Sequence, residues 1–137
     1  MKQTKKKRKK SVSYYKRIAD KAFSEFIRKQ ASDNWGRASC FTCDVRKPWK
    51  ELQAGHYVSR SHNSLRYDER NVQVQCSGCN IFKYGNMDEY ALRLQEKYGK
   101  GILEELRLKK REIKNFKVSE LEEIIKLYSG KYRIKNI

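Results

Sequence analysis

No stretch of this chain is apolar for the ~18 or more residues that a membrane-spanning helix needs, so a helical membrane protein is not the expected class. The N-terminus, Met1 to Lys10, is too basic for a secretory signal and has no apolar segment of the kind such signals carry. Acidic residues are scarce: 16 Asp+Glu stand against 33 Lys+Arg, a formal net charge of +17. Apolar mass is short as well, with a 38% hydrophobic fraction beside 36% charged residues in 137 positions. One domain with a thin core follows, of a size that benefits from a covalent or metal staple. Histidine is the scarcest chemistry-bearing side chain, with two copies, and no internal repeat is present. These absences lead to the expectation of an intracellular protein, where paired cysteines more often hold metal than form disulfides.

What the chain does have is positive charge, and polyanions, nucleic acid first among them, are the expected partner. Residues 1–12 form a run of Lys and Arg whose self-repulsion should keep it disordered until it meets phosphate. Residues 13–137 read as one domain. Ser13 is a candidate helix cap, and Tyr15, Ile18, Ala19, Ala22, Phe23, Phe26 and Ile27 then recur at helical spacing as a core face. From Cys40 to Gly85 no helical period persists. His56-Tyr57-Val58 and Val72-Gln73-Val74-Gln75 are the best strand candidates, joined by a polar loop and followed by a short helix through Ile81 and Phe82. Beyond it, helices are expected from Asn86, over residues 102–113, and from Ser119 to about Gly130, within a C-terminal helical part spanning 87–137.

Cys40-Phe41-Thr42-Cys43 and Cys76-Ser77-Gly78-Cys79 are two matched C-x-x-C pairs. Such pairs turn four thiolates toward one point and close a tetrahedral zinc site with no position left for a reactive water, so a structural zinc ion is expected. Between them lies Ala54-Gly55-His56-Tyr57, and after it Asn71 before the second strand, Asn80 straight after Cys79, and Lys83 on the same short helix. This arrangement resembles the zinc-stapled HNH (ββα-metal) nucleases, whose phosphodiester hydrolysis needs an activated water, charge neutralisation and a stabilised leaving oxygen. The resemblance implies neutral His56 as general base, Asn71 as the residue that orients its imidazole, and Asn80 as an oxygen ligand for a hard cation such as Mg²⁺ or Mn²⁺. Arg60, Arg66, Arg70 and Lys83 are candidate phosphate contacts for DNA.

The pattern of C-x-x-C, a strand His, then N-x-Q-x-x-C-x-x-C-N-x-x-K resembles the HNH (ββα-metal) nucleases with a zinc-stapled core. More closely, Gln53-Ala54-Gly55-His56-Tyr57, the run from Asn63 to Asn71, and Gln75-Cys76 resemble the phage NinG/Rap recombination endonucleases. The resemblance implies an α+β fold, a zinc-stapled ββα core over 38–86 with an N-terminal helix and C-terminal helices. It also implies a phage or prophage protein in the cytoplasm of a bacterial host, cutting branched DNA such as Holliday junctions and D-loops to leave 5′-phosphate and 3′-hydroxyl ends. Many such enzymes place an Asp immediately before the catalytic His as a second metal ligand, where this chain has Gly55. Asp68 and Glu69 are the nearest acidic candidates for that role, with His62 a further one; the same acids could simply pair with Arg66 or Arg70. Junction cutters often work as dimers, and the C-terminal helices could supply a homodimer interface. Two other readings fit the same charge and cysteines: a non-catalytic zinc module that binds nucleic acid, and a nuclease of the same kind acting on unbranched DNA or RNA.

Overall fold

The computed structural model describes residues 4, 5 and 7–135, with side chains described up to Gly130. The basic run at 1–12 therefore lies partly outside the described residues; those of it that are described, up to Ser11, carry no regular structure and are exposed. The first helix, α1, spans Val12–Gln30 and is capped by Ser11, whose hydroxyl accepts from the Tyr14 N–H at 3.2 Å, two residues earlier than the sequence suggested. Its buried stripe is Ala19, Phe23, Phe26 and Ile27, as the helical spacing requires.

Two small antiparallel sheets follow, and together with the helices they make the fold mixed α+β. Strand β1 (Arg37–Ser39) pairs with β2 (Arg46–Pro48), and β3 (Gln53–His56) pairs with β4 (Val72–Gln75). The first pair was not foreseen: its strands are three residues each and show no alternation to read. β3 starts at Gln53 and ends at His56, where the sequence had suggested a strand beginning at His56. Register in the second hairpin sets Ala54 opposite Val74, Gly55 opposite Gln73 and His56 opposite Val72.

Alternation along a strand sends Val72 and Val74 to one face and Gln73 and Gln75 to the other. All four are buried. On the valine face α1 lies against the hairpin, and α4 (Val118–Lys135) lies against α1. Phe23 and Phe26 meet Tyr128 with ring centroids 4.7 and 5.0 Å apart, in a cluster that includes Val72. A second cluster gathers Ala38, Leu52 and Val74 around Cys40, Cys76 and Cys79. A third joins Leu65 to Tyr90 and Leu94 of α2 (Met87–Tyr98) and Ile102 and Leu106 of α3 (Ile102–Lys110).

Two helix boundaries depart from expectation. α3 stops at Lys110 rather than Ile113. α4 runs through Gly130, and its first turn is closed by Glu120, whose carboxylate accepts from the Lys117 N–H at 3.1 Å, two positions before the pair read at Ser119 and Glu122. The short helix expected after Cys76 is a π-helical turn, Gly78–Phe82. It turns into α2 through Tyr84, Gly85 and Asn86, all at positive φ (50°, 91° and 50°), a left-handed corner that Gly and Asn tolerate better than other residues. No helix among the described residues is long and apolar enough to cross a membrane.

α2 holds the hairpin through one atom. The fully buried Tyr90 hydroxyl donates to the Gly55 carbonyl at 2.7 Å and accepts from the Gln73 N–H at 2.9 Å, bridging facing residues of β3 and β4. Replacing Tyr90 by Phe keeps the ring and removes this buried bridge between the two strands. Tyr90→Phe is expected to lower unfolding stability by about 1–3 kcal/mol in urea titration, and a change under 0.5 kcal/mol would remove this account of how the hairpin is anchored.

Candidate metal and nucleic-acid site

The two C-x-x-C pairs converge. The sulfurs of Cys40, Cys43, Cys76 and Cys79 all lie within 4.8 Å of one another, and only Cys43 is exposed. The first pair sits on a tight turn after β1, where the Asp44 N–H donates to the Cys40 carbonyl at 3.0 Å and the Cys40 N–H to the Val45 carbonyl at 2.8 Å. The second sits where β4 enters the π-helical turn, with the Cys79 N–H on the Cys76 sulfur at 3.4 Å. Burial would raise the Cys40 thiol, but hydrogen bonds from Thr42 and the Cys76 backbone outweigh it and lower it to about 6. Burial and the neighbouring sulfurs push Cys43 up to about 12. Four thiolates so close cannot all ionise without a cation to share their charge. The set could hold a tetrahedral zinc ion, and in doing so it would fasten the β1–β2 turn to the start of the segment that carries Asn80.

Beside this cluster an open cavity of about 700 Å³ is lined by His56, Asn80, Gln53, Arg28, Arg60 and Tyr84, among others, with no carboxylate among its lining residues. The His56 Nε2 lies 3.0 Å from the Arg66 carbonyl. A carbonyl only accepts, so Nε2 carries the proton and Nδ1 keeps its lone pair. Burial holds the His56 pKa below its ordinary value, and the positive charges of Arg60 and Arg66 act the same way, against the Arg66 carbonyl bond. The ring is a neutral base at neutral pH. Asn80 faces the cavity from the π-helical turn, its Nδ2 donating to the Gln53 Oε1 at 2.7 Å.

Several candidate residues have other work. Asn71 does not orient the imidazole. Its buried amide accepts from the Val58 N–H at 2.8 Å and donates to the carbonyls of Val58 (2.9 Å) and Leu65 (3.2 Å), tying together the two ends of the loop between β3 and β4. The Arg66 carbonyl positions His56 instead. Arg66 is not a phosphate contact: its guanidinium grips Asp20 of α1 through two bonds of 2.8 and 2.5 Å and is largely buried. Arg70 is engaged by Asp68 at 3.1 Å and Glu105 at 2.8 Å. Asp68 is not placed to ligate a cation beside His56. Its carboxylate is nearly buried, is taken by Arg70 and by Lys109 at 2.8 Å, and lines a different cavity with Lys109 and Phe116. Arg60 stays available, 60% exposed and 3.9 Å from Asp20. Lys83 is exposed at the end of the π-helical turn, between Phe82 (78% exposed) and Tyr84 (88%).

Sequence reasoning missed Asp20, Arg28, Gln53 and Gln75. Asp20 was hidden on the polar side of a helix read only for its core stripe. It accepts from Arg66 and from the Tyr67 hydroxyl at 2.9 Å; burial works against its charge, but these partners outweigh it and hold its carboxyl below the usual range.

A family model described as "Bacteriophage Lambda NinG protein" matches residues 1–136. The chain belongs to the NinG family. Over 95 residues, 69% of this chain, it is 34% identical to "Protein ninG" of Salmonella phage P22, 33% to that of Escherichia phage 933W and 32% to that of Escherichia phage lambda. It spans less than half the length of these curated relatives, 44 to 45% of each. No solved structure matches. This corrects the broader identification drawn from the motifs. Family and relatives alike bear the NinG name alone, which carries neither a recombination-endonuclease activity nor membership of the ββα-metal nucleases, so that wider assignment falls.

If the four sulfurs hold zinc, elemental analysis of the purified chain is expected to give one equivalent, and Cys76→Ser to lose most of it together with cooperative unfolding. Full zinc content in Cys76→Ser would contradict the four-sulfur site.

Proposed function

We propose that this chain is a divalent-metal-dependent endonuclease that hydrolyses DNA phosphodiesters. The observation that carries the reading is His56: a neutral imidazole with its proton fixed on Nε2, set in a cavity shared with an oriented amide oxygen and two arginines. In the proposed step Nδ1 takes a proton from water as its oxygen attacks phosphorus, and the P–O bond to the departing oxygen breaks. Asn80 offers a hard oxygen donor for Mg²⁺ or Mn²⁺. Such a cation, when bound, supplies positive charge to the phosphate and the leaving oxygen. Arg60 and Arg28 give the cavity the sign that draws in a phosphate backbone, and Lys83 with the exposed Tyr84 and Phe82 extends that surface. Asp20 and Arg66 act through His56 as positioning residues, holding the carbonyl that sets its tautomer.

Selectivity for branched DNA had no support beyond the recombination-endonuclease resemblance, so the proposal is for DNA phosphodiesters in general. The test is cleavage of labelled four-way junction and matched linear duplex with Mg²⁺, Mn²⁺ or EDTA. His56→Ala is expected to slow metal-dependent cleavage by about 10²–10⁴-fold with zinc content unchanged. Cleavage undiminished in that variant would remove the mechanism. Salt-sensitive binding with no cleavage in any metal would leave a nucleic-acid-binding zinc module.

The depressed His56 pKa fixes the pH dependence. The midpoint of protonation lies below the ordinary value of 6.5, so the acid limb of kcat/KM should have its midpoint below that pH. A midpoint above pH 6.5 would contradict the buried base. Arg60→Ala should weaken DNA binding across sequences and reduce the slope of log affinity against log salt by about 1.

A further inference from the structure

Gly55 and Gln75 form a feature that the proposed function does not use. Gln75 is completely buried on β4, and its Nε2 donates to the Thr42 hydroxyl at 3.0 Å and the Gly85 carbonyl at 2.9 Å. Those two bonds fix which end of the amide is which. The remaining atom, Oε1, is the one buried side-chain polar atom among the described residues with no hydrogen-bond partner. A buried acceptor left alone is costly, so it calls for an explanation. The oxygen points at Gly55. A Cβ built on Gly55 would stand 1.8 Å from Gln75 Oε1 and 3.1 Å from Asn80 Oδ1, so any other residue would displace the glutamine. Two amide oxygens thus converge beside Gly55, and Gln75 Oε1 occupies the volume that a side chain at that position would need. The Asn80 amide is held there by Gln53, which occupies its Nδ2.

We propose that Gln75 Oε1 and Asn80 Oδ1 together ligate the divalent cation, with Gly55 leaving the room in which the Gln75 amide comes alongside Asn80. This rests on the reading of the cavity as a metal-dependent site and deepens it by naming a second ligand. The chemistry fits: both donors are neutral, hard oxygens of the kind Mg²⁺ and Mn²⁺ accept, and water or phosphate oxygens complete the shell. The placement fits as well, since Asn80 lines the same cavity as His56.

The test is Mn²⁺ binding to the zinc-loaded full chain, read from the free-ion EPR signal. Gln75→Ala and Asn80→Ala are each expected to weaken binding roughly tenfold or more. In the double variant Gly55→Asp/Gln75→Ala a carboxylate occupies the vacated volume, and binding should return at least to the wild-type level. Should Gln75→Ala lose its zinc or its fold, Gln75→Glu decides, because a carboxylate in place of the amide oxygen must tighten Mn²⁺ binding. Wild-type Mn²⁺ affinity in Gln75→Ala with binding lost in Asn80→Ala would overturn the Gln75 assignment and leave the nuclease reading standing. So would unchanged affinity in Gln75→Glu, which would mean that Oε1 faces only an ordered water. No Mn²⁺ binding in the wild type and no cleavage in any metal would sink both.

Discussion

The β3–β4 hairpin is covered on both faces in a chain with little apolar mass, and the rest of the structure answers to that constraint. A two-stranded ribbon has few ladder bonds of its own and is marginal alone. Here α1 covers one face, with α4 behind it, while α2 and the cysteine turns cover the other. The polar groups that this arrangement buries must find partners inside, and they become the ties of the fold. Tyr90 bridges Gly55 to Gln73, Asn71 closes the inter-strand loop, and Gln75 reaches Thr42 and Gly85. Where a larger protein would use hydrophobic packing, this one uses buried amides and a phenol, each with a fixed donor and acceptor sense.

That sense carries from scaffold to site. Asp20 on α1 grips the Arg66 guanidinium, which fixes the loop whose Arg66 carbonyl receives the His56 Nε2–H. A carboxylate in direct contact with the ring would have raised its pKa. Transmitting the anchor through a peptide carbonyl keeps the imidazole oriented while burial and nearby guanidinium charge keep it neutral. The bidentate Asp20–Arg66 pair is only partly exposed, so it is screened by salt less than a surface pair.

The residues of the site were legible in the sequence to the extent that their spacing was local. Cys40, Cys43, Cys76 and Cys79 announced a four-sulfur cluster because the x-x spacing is itself the geometry. His56 and Asn80 were singled out through their places relative to those cysteines, and both line one cavity. Partners set by tertiary contact were not legible. Asp68 lies two residues from Arg70 and is claimed by it and by Lys109, forty-one positions away. Asn71 looked like a partner for His56 in sequence and proved to serve the backbone of its own loop. In Val72-Gln73-Val74-Gln75 the alternation of an ordinary half-buried strand would send the glutamines to solvent. They are buried because the cysteine turns and α2 cover that face, and nothing in a strand's own pattern records what will cover it. The α1 stripe, by contrast, was read correctly, since a 3.6-residue period is a property of the helix alone.

The glycine before His56 looked like a deficit when only neighbouring positions were compared. In three dimensions Gly55 and Gln75 are complementary: one strand withdraws its side chain, and the other fills the space with an oxygen that has no donor facing it. A neutral ligand pair has a consequence in a protein of net charge +17 with arginines around the cavity. Positive surroundings disfavour a lone dication, and amide oxygens offset that poorly compared with carboxylates. Phosphate changes the balance, because its anionic oxygens both neutralise the arginines and complete the cation's shell. On the proposed ligand set, cation and DNA therefore reinforce one another's binding, and by linkage the coupling is equal in both directions. On that proposal the site is fully assembled only with a phosphodiester bound.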